Sequence, residues 1–149
     1  RWWSNATALA ARGAPTYLVG VGGALATALS TWRQSDYARS ELIDRRRLRF
    51  PPAVRVASVT GSLEAVTDAV ANVAISPDDV LGPVETVGGG VRTILRFDYA
   101  RGTEVAAELR AEIIRSATSR RRSLASKGAS GPIPPNLRVR FDDVEPFAQ

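Results

Sequence analysis

Residues 45–60 read RRRLRFPPAVRVASVT: an arginine cluster, a double proline, then an alternating apolar stretch. Proline disfavours the helical region for the residue before it, so Phe50 should be extended and any helix upstream must stop earlier. Pro51-Pro52 is therefore read as a boundary that divides the chain into residues 1–50 and 51–149. After the boundary a strand is predicted over 53–59. Its period of two puts Val54, Val56 and Ser58 on one side and Ala53, Arg55, Ala57 and Val59 on the other.

Working downstream, Gly61-Ser62 opens a helix whose Leu63, Val66, Ala69, Val70 and Val73 form an apolar stripe. A second strand over 79–86 is interrupted by Gly82-Pro83, which suits an edge position or a bulge. Gly88, Gly89 and Gly90 turn into a third strand over 91–99. There Val91, Thr93, Leu95 and Phe97 alternate with Arg92, Ile94, Arg96 and Asp98. Residues 102–117 predict a second amphipathic helix, with Val105, Leu109, Glu112 and Ile113 in register. A loop rich in Arg, Ser, Gly and Pro (118–135) and a last strand (136–144) complete the pattern. The order βαββαβ, with right-handed crossovers, predicts a four-stranded antiparallel sheet of order 4-1-3-2 with both helices on one face. The fold class is α+β, a ferredoxin-like sandwich, and that superfold names no function.

Working upstream, the pattern predicts a helix over 1–13 closed by Gly13, a buried strand over 16–21, a helix over 24–32 and a helix over 35–48. Ser35 is the expected N-cap of the last, with Asp36 near its positive end and Arg45, Arg46 and Arg47 near its negative end. Tyr37, Ala38, Leu42, Ile43 and Leu48 are its apolar positions. This opening third is a strip of an α/β domain too small to stand alone. The start at Arg1, with Trp2-Trp3 beside it, reads as a fragment of something longer.

The 149 residues are 44% hydrophobic, enough for a genuine core. Of the 20 basic residues only Lys127 is a lysine. That bias, with abundant Ala, Val and Gly, reflects codon usage in a GC-rich genome. There is no cysteine and no histidine, which removes disulfides, thiol catalysis and the commonest general base, and all but excludes a zinc site from this chain alone. No apolar run reaches the roughly 18 residues that cross a bilayer, and no signal-peptide pattern is present. The net charge of +5 lies wholly in residues 1–50, with eight arginines against Asp36, Glu41 and Asp44. Residues 51–149 carry twelve basic and twelve acidic groups.

Several features offer chemistry, each beside a plainer reading. The triple glycine precedes a strand instead of opening a helix, so a hairpin turn is favoured over a phosphate cradle. VGVGGA (19–24) is loosely like a dinucleotide fingerprint but lacks its full glycine spacing and a second βαβ half. Asp142, Asp143 and Glu145 could bind a divalent cation or simply end the fold. Arg55, Arg92, Arg96, Arg138 and Arg140 occupy alternating strand positions, and in the order 4-1-3-2 their three strands are adjacent. They would then present one basic sheet surface, or an ordinary solvated face. An RNA-recognition motif would need exposed aromatics on the first and third strands; the first has none, and Phe97 should face the helices. Arg120, Arg121, Arg122 and Lys127, in the predicted loop, could follow a phosphate backbone.

The segment ELIDRRRLRFPPAVRVA (41–57) resembles the lead into the C-terminal domain of the primosomal protein N-prime (PriA) family of replication-restart proteins. VLGPVE (80–85), GGGVRTILRF (88–97) and LRVRFDDVEPF (137–147) are similar to that family's following segments in the same order. TYLVGVGGALATALSTWRQSDYARSEL (16–42) resembles the end of the family's second helicase lobe. The resemblance implies a C-terminal domain like a small ribosomal protein of ferredoxin-like type, behind a remnant of an α/β helicase lobe, in a cytoplasmic protein. It implies binding of forked or single-stranded DNA, of single-stranded-DNA-binding protein and of other primosome proteins. Arg101 falls near the family arginine that takes the acidic tail of single-stranded-DNA-binding protein; an arginine can pair a terminal carboxylate bidentately. DNA contacts would come from Arg45, Arg46, Arg47, Arg49, Arg55, Arg92, Arg96, Arg120, Arg121, Arg122, Lys127, Arg138 and Arg140. The family's ATP and zinc belong to parts not matched here, so no cofactor is expected in this chain. Where family helicases carry Gln-x-x-Gly-Arg-x-Gly-Arg, the chain reads NATALAARGAP (5–15), which puts ATP hydrolysis in doubt even for the parent. In this the chain is most similar to actinobacterial members. The expectation is a binding module and not an enzyme; the rival is a pure protein-interaction domain whose arginines recognise acidic tails.

Overall fold

The computed structural model describes residues 8–10, 13–87, 89–127 and 136–143. The chain forms two compact units, Arg1–Leu48 and Arg49–Gln149.

The first unit contains helices α1 (Gly23–Ser30) and α2 (Gln34–Leu48), which pack on each other. Ala28 and Leu29 of α1 are buried; no residue of α2 is. Of the stripe predicted on α2, Tyr37 and Leu42 are half-buried, whereas Ile43 and Leu48 are exposed. Ser35 is not its N-cap: α2 begins one residue earlier, and Ser35 lies inside the first turn. Asp36 there accepts from Arg33 Nε (3.0 Å) and Arg39 Nη1 (3.1 Å), negative charge where the helix dipole favours it. The strand predicted over 16–21 is not formed, and Tyr17 and Val19 are each 82% exposed. A strand needs a neighbour for its backbone groups, and none stands beside it among the described residues. The helix predicted over 1–13 lies largely outside the described residues.

The second unit is a sheet with helices on one face. Strand β1 is Arg55–Gly61, β2 Val80–Glu85, β3 Val91–Phe97 and β4 Arg138–Phe141; helix α3 is Leu63–Ala71 and α4 Gly102–Lys127. The sheet order is β2-β3-β1-β4 with every pairing antiparallel, as the βαββαβ pattern predicts. Ala57 and Val59 of β1 stand opposite Leu95 and Thr93 of β3 and opposite Phe141 and Val139 of β4. That face meets Val66, Ala69 and Val73 from the α3 side, Val105 and Leu109 from α4, and Leu137. Val59, Leu95, Val105 and Leu109 are fully buried, each worth roughly 1.5–3 kcal/mol of transfer free energy.

Local chemistry explains the element ends. Ser62 Oγ accepts from Ala65 N (3.3 Å), the N-cap that starts α3 straight after β1. β1 starts two residues later than the alternation suggested, because the turn after the double proline runs through Val54; Ala53 N donates to Phe50 O (2.9 Å). The edge strand β2 has the expected irregularity between Leu81 and Val84. Gly82 has φ +115°, and a Cβ there would come within 2.8 Å of Arg92 O, so no other residue fits. Thr86 N donates to Gly90 O (2.9 Å) to close the β2–β3 hairpin, with Gly89 at φ +73°.

One element departs sharply from expectation. The second amphipathic helix does not stop at 117: α4 continues for 26 residues to Lys127, absorbing the first ten residues of the predicted loop. Residues 103–127 contain neither Gly nor Pro, so nothing local interrupts the helix. The rest of that loop (128–135) lies outside the described residues.

Candidate nucleic-acid interface

The antiparallel registers sort the strand arginines by face. Thr60 of β1 stands between Arg92 of β3 and Arg138 of β4, and Ser58 stands between Ile94 and Arg140. Val56 is opposite Arg96. These positions alternate with the helix-covered ones, so Arg92, Arg96, Arg138 and Arg140 share the sheet face away from α3 and α4. β1 adds hydroxyls, not charge, to this face.

Arg55 does not join them. It falls on the same side as Ala57 and Val59, and its guanidinium lies 5.9 Å from the Phe97 ring centroid. Its Nη2 donates to Asp142 Oδ2 at 2.6 Å and its Nε at 3.0 Å. Asp142, at φ +49°, also exchanges hydrogen bonds with the backbone of Val56. The expectation that Arg55 extends the basic surface is corrected by this parity: it ties the end of β4 to the start of β1. Asp142 is likewise occupied, Asp143 Oδ2 lies 3.7 Å from Arg140 Nη1, and Glu145 lies outside the described residues. Among the described residues no group of acidic side chains is placed to hold a metal ion.

On the arginine face, Arg138 and Arg140 are exposed, with 74% of the Arg140 side chain open to solvent. Beside them the centre of this face is not open to solvent, since Val56, Ser58 and Ile94 are all buried. No aromatic side chain of β1, β3 or β4 is on this face, so bases have no stacking platform. Arg96 is turned aside: its Nη2 donates to Asp78 O (2.6 Å) and its Nε is 3.3 Å from Asp79 Oδ1. Asp79 also receives Arg49 in a fork, Nε to Oδ1 at 2.9 Å and Nη2 to Oδ2 at 3.0 Å, with Asp98 3.5 Å from Arg49 Nη1. Asp79 was not singled out in the sequence, where it is one of a pair of aspartates before β2. Only the fold brings Arg49 and Arg96 to it.

Hydrogen bonding to Asp79 raises the Arg49 guanidinium above the ordinary arginine value, against the opposing effect of burial. Asp142 does the same for Arg55. Both groups therefore stay cationic throughout the range in which a protein is folded.

Arg45, Arg46 and Arg47 form the last turn of α2, where cations suit the dipole; Arg45 bonds Glu41 Oε1 through Nε (2.9 Å) and Nη2 (2.8 Å). Arg46 and Arg47 are exposed. Arg101, in a 3-10 turn (Tyr99–Arg101) just before α4, is held by Glu104 Oε2 (3.0 Å) and by the Ala74 carbonyl. Glu108 Oε2 accepts from Ala74 N (3.3 Å), so Arg101 and Glu108 together hold the backbone of Ala74 on both sides in the loop after α3. Arg121 and Arg122 are exposed on α4; the side chains of Arg120 and Lys127 lie outside the described set.

The strand–loop–helix geometry that VGVGGA would need is not present, because no strand precedes α1 among the described residues. No helix among them is long and apolar enough to cross a membrane.

Comparison with the curated proteins and with the solved structures gave no match. The family described as the primosomal protein N C-terminal domain matches residues 46–144, about two thirds of the chain and nearly all of the sheet unit. The chain therefore belongs to that family and carries a primosomal domain with a role in replication restart.

Proposed function

We propose that this chain is the DNA- and partner-binding module of a replication-restart protein, and that it holds forked or branched DNA through the phosphate backbone. The single observation that carries this reading is the exposed pair Arg138 and Arg140 on β4. They share a sheet face with Arg92, across the hydroxyl-bearing strand β1. Arginine on a face without aromatics favours phosphates over bases, giving affinity without sequence preference. The strand order supports a ferredoxin-like sandwich of the ribosomal-protein type. Residues 1–48 would be the remnant of a helicase lobe, as in members with degraded helicase motifs, and ATP and zinc would belong to other parts of the parent.

Docking of single-stranded-DNA-binding protein is the second part of the reading. Arg101 is the candidate for its acidic tail; a peptide carboxylate there would compete with Glu104 for the guanidinium. Because Arg101 also grips the Ala74 carbonyl, Arg101→Lys tests recognition more cleanly than Arg101→Ala.

Titration of a forked DNA at 50 and 200 mM salt tests the first part. With three to five phosphate contacts, affinity should fall by roughly two orders of magnitude. Equal affinity at the two salts would count against phosphate binding and leave the protein-interaction reading, in which only acidic peptides bind.

A further inference from the structure

Helix α4 has two halves with different surroundings. From Gly102 to Glu112 it lies on the sheet, with Val105, Leu109 and Glu112 buried. From Ile113 to Arg122 every side chain with a described environment is exposed, except for the half-buried Ser116. The backbone nevertheless continues as one helix to Lys127. The outer fifteen residues would span about 22 Å at the rise of an α-helix.

Charge divides at the same place. Residues 113–127 carry five basic groups (Arg115, Arg120, Arg121, Arg122 and Lys127) and no acidic one. The remainder of the unit from Arg49 onward carries eight basic and twelve acidic residues. Helical continuity therefore joins a strongly cationic arm to an anionic body. Among the described side chains of the arm, Arg115 pairs with Glu112 one turn earlier. Successive helix positions are 100° apart, so Arg120, Arg121 and Arg122 occupy more than half of the circumference. Cations all round an axis do not suit a flat surface. They suit a groove with phosphates on both sides, and the major groove of a DNA duplex, about 12 Å wide, admits an α-helix.

We infer that the outer half of α4, Ile113–Lys127, is the main DNA contact of this domain, lying along a duplex groove between its two phosphate strands. The inference rests on the DNA-binding reading above and moves its centre from the sheet face to the arm. The acidic body disfavours other approaches of the duplex, so the charge division also orients it. A helical segment whose described side chains are nearly all exposed is weakly held by itself, and phosphates would remove the mutual repulsion of its cations.

The test uses the full chain, a duplex DNA of mixed sequence and fluorescence anisotropy across 50–200 mM salt. The triple variant Arg120→Gln, Arg121→Gln, Arg122→Gln should lose about tenfold or more in affinity at low salt. Its slope of log affinity against log salt should be shallower by roughly 2–3, since each lost phosphate contact removes about 0.9. The double variant Arg138→Gln, Arg140→Gln should lose less. Equal melting temperatures for the three chains establish that the changes are not due to unfolding. An unchanged triple variant beside a crippled double variant overturns the arm and leaves the sheet-face reading standing. No DNA affinity in the unaltered chain removes both. Binding confined to single strands, or to an acidic peptide that the triple variant no longer takes, also overturns the duplex assignment.

Discussion

Asp79 holds two cations that are far apart in sequence, Arg49 and Arg96, at the entry to the sheet unit. Arg49 has φ +52°, a left-handed conformation that glycine normally takes after a helix. An arginine there is strained, and the fork onto Asp79 holds it in place. Asp79→Asn keeps the shape but removes the charge facing two guanidiniums. Since Arg49 is partly exposed, the cost should be moderated by solvent, to about 1–2 kcal/mol in chemical denaturation. Stability unchanged from the parent chain would mean that this ion pair does not anchor Arg49. None of this could be read from Asp78-Asp79 in the sequence, because a salt bridge across thirty residues is decided by folding.

At the scale of the element, α4 shows where pattern reading works and where it stops. Val105 and Leu109 are legible as a buried stripe because a helix on a sheet needs one apolar face every 3.6 residues; Ile113, read in the same register, is exposed, while the carboxylate Glu112 is buried. Beyond residue 117 that signal has ended, and polar composition alone reads as loop. The helix continues because local propensity favours it in the absence of Gly and Pro. The two halves should respond differently to truncation. Leu109→Ala empties a fully buried position and should cost about 2–4 kcal/mol, whereas Ile114→Ala, at a site 60% exposed, should change stability by under about 0.5 kcal/mol. Comparable losses at the two sites would show that the outer half is packed after all. The strand expected over 16–21 fails for the complementary reason: TYLVGV has the right residues, but a strand is completed only by its neighbour.

Across the whole molecule, the absence of histidine has a functional consequence. Histidine is the side chain whose ordinary pKa falls near neutrality, and this chain has none. The resolved shifts, at Arg49 and Arg55, are both upward. A group with a raised folded-state pKa contributes stability that is fully present below its unfolded pKa and is lost only as pH rises through the folded one. For arginine that window lies far above neutrality. Stability and DNA affinity should therefore both be flat between pH 6 and 9, within about 0.5 kcal/mol and twofold respectively. A clear step in either quantity near neutrality would reveal a titrating group that these residues do not provide.

The sequence by itself determined the βαββαβ order, the bulged edge strand, the glycine hairpin and the stop before Pro51-Pro52. Each depends on local backbone chemistry or on a short repeat. It also fixed the parity of β1, setting Arg55 with Ala57 and Val59. What it left open was which side the helices would cover, because Val54 and Val56 are as apolar as Ala57 and Val59. Tertiary packing chose the Ala57 side, which took Arg55 out of the basic surface and left Arg92, Arg96, Arg138 and Arg140 on the other. Packing likewise turned Arg96 onto Asp79 and let go of α4 after Glu112. Burial and ion pairing join residues distant along the chain, and such pairings exist only once the sheet has formed.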